Sequence, residues 1–161
     1  MKNILLSLFL FFVLLQTALA EQLPAYSITY DPARNALQDG RDAIALAKAT
    51  NRRVLIEVGG DWCKWCHVLD RFLNNNVDIK KQLHQNFVLL KVNVSDENGN
   101  GEFLKAFPRV IGYPHIFVTD SDGNILSSND IGEFYEEGAY SAKRFKIFFK
   151  RWAIDKKITN V

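Results

Sequence analysis

Apolar positions along the chain fall into blocks of differing period. A nearly unbroken apolar run, ILLSLFLFFVLL, occupies residues 4–15. Residues 21–35, EQLPAYSITYDPARN, have no helical period and are read as an extended arm. Within it, Asp31 followed by Pro32 suits the opening of a short helical turn, since Asp caps and Pro fits the first helical position. From Asp39 the run DGRDAIALAKATNRR is rich in alanine and sets Ile44 and Leu46 among charged residues, which predicts a helix packed on one face. VLIEVGG, residues 54–60, is short, β-branched and closed by glycines, the pattern of a buried strand. In VLDRFLNNN, Leu69, Phe72 and Leu73 recur at helical spacing.

FVLLKVNV, residues 87–94, predicts a second strand, and SDENGNG, residues 95–101, is a loop by composition. A short helical piece, EFLKAF, follows. HIFVT and NILSS then flank an Asp-Gly turn, the signature of a hairpin. SAKRFKIFFKRWAIDKKI predicts an amphipathic helix with Phe145, Phe148, Phe149 and Trp152 on one side. The order is helix, strand, helix, strand, helix, strand, strand, helix. Alternation in the first half implies a parallel pair and the hairpin adds antiparallel strands, so the fold class is α/β, with a central mixed β-sheet flanked by helices.

The chain has 161 residues, enough for one domain with one core. Residues 1–20 join a charged start at Lys2 to the apolar run and to small residues Ala18 and Ala20, the pattern of a signal peptide cleaved after Ala20. The run is shorter than the roughly 20 apolar residues of a spanning helix. We therefore expect an exported chain, periplasmic or secreted, with an arm over residues 21–38 and one domain over residues 39–161. Net charge is +2, which implies neither nucleic acid nor an acidic polymer as partner. The basic residues of the last helix, among them Lys143, Arg144, Lys146 and Lys150, read as the solvated face of a packed helix, so membrane contact is not required.

The chemistry concentrates in DWCKWCHVL, residues 61–69, which holds both cysteines of the chain, Cys63 and Cys66. Cys-x-x-Cys is the spacing of a redox dithiol, and Cys-x-x-Cys-His that of covalent haem c attachment through Cys63, Cys66 and His67. A free thiol ionises near pH ~8.5, so a nucleophilic cysteine needs help. A helix start supplies it through unpaired N–H groups, and Lys64 adds a cation. Cys63, at that start, is the expected nucleophile and Cys66 the resolving thiol. A purely structural disulfide across so short a loop contributes only about 2 kcal/mol, against about 4 or more for one closing much of a domain.

Strand, junction and helix together give the sequence a resemblance to the thioredoxin superfamily. VLIEVGGDWCKWC resembles its central strand and active-site turn, with Trp62 before the first cysteine. IGYPHIFV resembles its second landmark, which implies that Pro114 is cis and that Tyr113 and Pro114 border the dithiol and present backbone groups to an extended substrate. The exported start and the lead-in to the cysteines are similar to bacterial thioredoxin-like proteins, related to periplasmic disulfide-exchange domains and protein disulfide isomerase. The resemblance implies a thioredoxin-like three-layer sandwich, a Cys63–Cys66 disulfide and a role for Glu57, six residues before Cys63, in moving a proton to and from the resolving cysteine. It implies protein thiols and disulfides as substrates, a redox partner protein, and no cofactor or metal.

Two features depart from the family pattern. Lys64 and Trp65 match neither the Gly-Pro of reducing thioredoxins nor the Gly-His common in isomerases, and His67 often is Lys or Arg. All three are candidate tuners of the redox potential, and the direction of electron flow stays open. Alternatives are a thioredoxin fold binding Cu or Zn through the thiolates and His67, a chaperone-like binding protein, and a haem protein with His84 or His115 as second axial ligand. The only Met is Met1, and no second Cys pair closes a metal site. SDENGNG lacks the spacing of a full Ca ligand set.

Overall fold

A computed structural model describes residues 26–154, so the leader expected over residues 1–20 lies outside the described residues. The chain order is α1 (Ala36–Ala49), β1 (Arg53–Gly59), α2 (Lys64–Asn75), α3 (Val77–Asn86), β2 (Phe87–Asn93), α4 (Gly101–Leu104), β3 (His115–Thr119), β4 (Ile125–Asp130), a 3-10 turn (Ile131–Phe134), β5 (Tyr135–Glu136), β6 (Ala139–Tyr140) and α5 (Ala142–Trp152). The main sheet runs β2-β1-β3-β4. β1 and β2 are parallel, while β3 is antiparallel to both β1 and β4. This is the mixed α/β sheet expected from the sequence.

Successive strand residues point to opposite faces, and the core divides accordingly. Leu55, Leu89, Ile116 and Val118 pack with Leu69 and Leu73 of α2, Ile79 and Leu83 of α3, and Phe145, Phe148 and Phe149 of α5. Val54, Ile56, Val58, Val88, Leu90, Val92 and Phe117 pack on the other face against Ala43 and Ala47 of α1 and Phe103 of α4. The small alanines let α1 lie close to the sheet. The large phenylalanines of α5 fill the opposite layer, each buried ring contributing about 1.5–3 kcal/mol.

Helix α1 begins at Ala36, before the Asp39 expected from the charged run, because the Asn35 side chain caps it by accepting from the Gln38 amide at 3.1 Å. The segment after α2 is a separate helix, α3, which the sequence reading did not resolve. Asn76 ends α2 by donating both its backbone N–H and its Nδ2 to the Phe72 carbonyl, at 3.2 and 2.7 Å. The following apolar stripe is only Ile79 and Leu83. The β5–β6 ribbon, too short to carry a periodic signal, was also missed.

The hairpin forms at the Asp-Gly turn as expected. Asp120 accepts from the Asp122 and Asn124 amides at 2.9 and 2.8 Å, and Gly123 takes φ 89°. β4 is the outer strand on that side, its polar Ser127, Ser128, Asn129 and Asp130 incompletely buried.

The arm is docked along β2. Tyr26 and Ser27 amides donate to Leu89 O, and Lys91 N donates to Ser27 O, all at 3.1 Å. Asp31 opens a turn, its carboxylate accepting from Ala33 N at 2.8 Å. Asn98 of the polar loop then clasps the arm, donating through Nδ2 to the carbonyls of Pro32 and Arg34 at 2.8 and 3.0 Å. These bonds fix where Tyr30 enters the interior.

Candidate active site

β1 delivers the chain to the sheet's C-terminal edge and α2 starts immediately beyond it, with Cys63 as N-cap. The Cys63 amide donates to Gly60 O at 2.9 Å, closing the turn, and its Sγ accepts from the Cys66 amide at 3.1 Å. A sulfur in this position lies against the unpaired N–H groups and positive end of the helix dipole. Cys63 and Cys66 are joined in a disulfide, S–S 2.11 Å. Cys66 is fully buried and Cys63 nearly so. The junction needs glycine at position 59: a Cβ there would stand 2.5 Å from Cys66 Sγ and 2.7 Å from Tyr30 Oη.

Trp62 and Tyr113 roof the pair on one side. Their rings meet edge to face at 5.2 Å, and Trp62 Nε1 donates to Val94 O at 2.6 Å, which holds an indole that is 58% exposed. Tyr113 packs against the cluster of Tyr30, Cys63 and Cys66, and the Tyr113–Pro114 peptide bond is cis. The residues named as potential tuners are arranged differently. Lys64 is exposed, Trp65 turns toward the β5–β6 ribbon and meets Tyr135 edge to face at 5.5 Å, and the His67 ring is tied through Nε2 to the Asp61 carbonyl at 2.7 Å.

Beneath the cysteines lies a layer of buried polar groups. Glu57, on β1, is 1% exposed. Its neighbour in parallel register is Lys91, so both side chains emerge on the face covered by α2. Lys91 Nζ is 3.8 Å from Glu57 Oε1 and directly paired with Asp70 Oδ1 of α2. Tyr30 donates its hydroxyl to Glu57 Oε1 at 2.5 Å, and Lys91 Nζ stands 4.7 Å from the Tyr30 ring centroid. Burial raises the Glu57 carboxyl above its ordinary range, and nearby Asp70 adds to this, against the opposing pull of Lys91 and the Tyr30 hydrogen bond. The Tyr30 phenol is driven up as well, by burial first and then by the Glu57 charge, so it stays protonated and acts as donor.

Sequence reasoning named Glu57 but missed Tyr30, Asp70 and Lys91. Lys91 had a signal, a lone charge in the apolar run FVLLKVNV. Asp70 could be found only by joining α2 geometry to strand register, and Tyr30 sits in an arm with no periodicity at all.

On the other face of the sheet, the His115 ring donates to or accepts from Ser128 Oγ at 2.9 Å through Nε2, while its buried Nδ1 has no partner among the described residues. Burial lowers its pKa, Asp130 and Glu133 opposing. His84, on α3, is lowered by burial and by Lys80 and Arg52. Among the described residues no group of three or more His, Cys, Asp or Glu side chains converges as a metal site, and no helix is long and apolar enough to cross a membrane.

A Cys-x-x-Cys pair capping a helix at the edge of a mixed four-stranded sheet, with a cis-proline strand beside it, defines the class of thioredoxin folds. The profile of the thioredoxin-like family matches residues 35–121, and the chain belongs to that family. Among curated relatives, the thiol:disulfide interchange protein DsbD of Vibrio vulnificus is 25% identical over 121 residues, 75% of this chain and 20% of that protein. DsbD of Klebsiella pneumoniae is 28% identical over 98 residues, 61% of this chain and 16% of that protein. The chain thus spans a fifth or less of the length of these relatives.

Among solved structures, a disulphide isomerase from Xylella fastidiosa superposes with a TM-score of 0.64 at 26% identity, over 78% of this chain and 96% of that one. The oxidised C-terminal domain of Neisseria meningitidis DsbD does so with 0.53 at 21% identity, over 78% and 99%, a likeness of fold. The chain therefore has the fold of a disulfide oxidoreductase, with its Cys-x-x-Cys pair at bonding distance.

Proposed function

We propose that this protein is an exported thiol:disulfide oxidoreductase that exchanges disulfides with protein substrates through Cys63 and Cys66. The observation that carries the reading is the Cys66 amide aimed at Cys63 Sγ from the first turn of α2. Once the pair is reduced, that amide and the helix dipole favour a thiolate on Cys63. The thiolate attacks a substrate disulfide, forming a Cys63–substrate bond and expelling the other substrate sulfur as a thiolate that takes up a proton. Cys66 then loses its proton, attacks Cys63 Sγ, and releases the second substrate thiolate. The protein pair loses two electrons and the substrate disulfide gains them. The reverse sequence donates a disulfide.

Glu57 is the base for the Cys66 proton. A carboxyl held above its ordinary range by burial takes up a proton more readily than a solvated one. Trp62, Tyr113 and Pro114 form the border where an extended segment of substrate lies, its backbone pairing with the chain at the cis bond. Lys64, Trp65 and His67 set the potential from outside the disulfide. Export rests on the leader pattern of residues 1–20, and an extracytoplasmic compartment sustains disulfide chemistry.

The test is capture. With Cys66→Ala, a mixed disulfide on Cys63 has no resolving thiol, and protein partners accumulate as disulfide-linked adducts that reductant releases. The reading fails if no adduct forms in the extracytoplasmic fraction and the purified dithiol does not equilibrate with glutathione. That equilibration also gives the potential, and with it the direction of electron flow.

A further inference from the structure

Glu57 hydrogen-bonds a phenol, and that phenol adjoins the resolving cysteine. Tyr30 Oη donates to Glu57 Oε1 at 2.5 Å. The same oxygen and Cys66 Sγ flank the bare Cα of Gly59, where a single added carbon would stand 2.7 Å from one and 2.5 Å from the other. Tyr30 is 5% exposed and packs with Cys63 and Cys66. Tyr30 Oη thus borders both the carboxylate that would take the proton and the sulfur that would release it. Lys91 Nζ stands near both the Tyr30 ring and the same Glu57 Oε1, which fixes the carboxylate oxygen nearest the phenol.

We propose, building on the oxidoreductase reading above, that Tyr30 relays the proton between Cys66 and Glu57 in the resolving step. The Cys66 S–H proton passes to Tyr30 Oη as the Tyr30 proton passes to Glu57 Oε1. The Cys66 electron pair forms the bond to Cys63 Sγ, and the Cys63–substrate bond breaks, its electrons leaving with the substrate thiolate. The phenol gains one proton as it gives another and is never a free phenolate, in keeping with its burial beside a carboxylate. The arm is thereby part of the reacting centre: Ser27 and the Asn98 clasp position the Tyr30 ring. Glu57 and Tyr30 act as one unit, so removing either interrupts the same transfer.

The experiment follows the full reduced chain after mixing with glutathione disulfide. Acid-quenched samples are weighed by mass spectrometry to separate formation of the Cys63–glutathione adduct from its resolution. Tyr30→Phe keeps the ring and removes the hydroxyl. The adduct is expected to form at the wild-type rate and to resolve about 100-fold more slowly at neutral pH, with the deficit closing as pH rises and hydroxide takes the proton. Tyr30→Phe combined with Glu57→Gln is expected to be no slower than the slower single variant. Resolution at the wild-type rate from neutral pH upward overturns the relay, as does an equal slowing of both steps.

Should Tyr30→Phe not fold, the wild type decides. Resolution is expected to be slower in D2O than in H2O, and equal rates overturn the relay. A wild-type chain that forms no adduct, or never resolves one, overturns the oxidoreductase reading instead, so the two failures are distinct.

Discussion

Gly59 and Cys66 are in contact through a gap that admits no side chain: a Cβ on Gly59 would lie 2.5 Å from the Cys66 sulfur. Gly59→Ala is therefore expected to push α2 away from β1, costing about 1–3 kcal/mol as overpacking. Urea unfolding of the oxidised protein checks the loss. A midpoint unchanged from wild type would show that the junction can relax at no cost.

Glu57 makes stability depend on pH in a direction opposite to most carboxylates. Its folded pKa lies above the ordinary 4.5, so in the window above 4.5 the native state binds more protons than the unfolded chain. The contribution is full below pH 4.5 and is lost as pH rises through the folded value. Glu57→Gln removes this dependence, and its stability relative to wild type is expected to climb with pH by about 1 kcal/mol per unit across that window. Parallel denaturant curves for the two proteins from mildly acidic to mildly alkaline pH read the difference.

His84 and His115 act in the other sense. His115 is buried and His84 partly so, both with folded pKa values below the ordinary 6.5, so the unfolded chain binds more protons in the window beneath 6.5. The stability they carry is complete above pH 6.5 and is lost as pH falls through their folded values. A His84→Gln, His115→Gln double variant is expected to show a shallower loss of thermal midpoint on acidification than wild type. An equally steep loss would assign acid sensitivity to other groups.

Trp62 is 58% exposed and Trp65 48%, on either side of a dithiol that is itself almost covered. Large aromatic surface there serves a partner more than the core. Under the proposed function, Trp62→Ala is expected to raise KM for a protein disulfide about 5- to 10-fold, the loss of one aromatic anchor, while exchange with glutathione is unchanged. Steady-state rates on both substrates separate the effects. A matching loss on glutathione would place Trp62 in the chemistry instead.

Much of this architecture is legible in the sequence because the elements that frame the dithiol carry strong local signals. VLIEVGG and FVLLKVNV are short, β-branched and mostly apolar runs, the Asp122-Gly123 turn specifies its hairpin, and the Phe145, Phe148 and Phe149 stripe leaves α5 one way to pack. Helix α3 escaped because Ile79 and Leu83 alone bury it, a stripe too thin to separate from α2. Of the buried polar layer, Glu57 is found by its distance from Cys63. Tyr30 and Asp70 reach it through tertiary contacts, from an aperiodic arm and from the flank of α2, and no spacing along the chain predicts such meetings.

The sheet ends in two strands that differ in how they are guarded. β2 is capped by the Ser27 bridge, so incoming chains find part of its outer ladder already occupied. Among the described residues β4 has no such cover, but it presents Ser127, Ser128, Asn129 and Asp130, and the register slips between Val118 and Thr119 at its turn. A polar, irregular border is a poor template for another strand. One margin resists polymerisation by occupancy and the other by chemistry. The Tyr26–Ser27 segment therefore has a second duty as a gatekeeper against aggregation, and undocking it would bare an apolar edge as well as withdraw Tyr30 from Glu57.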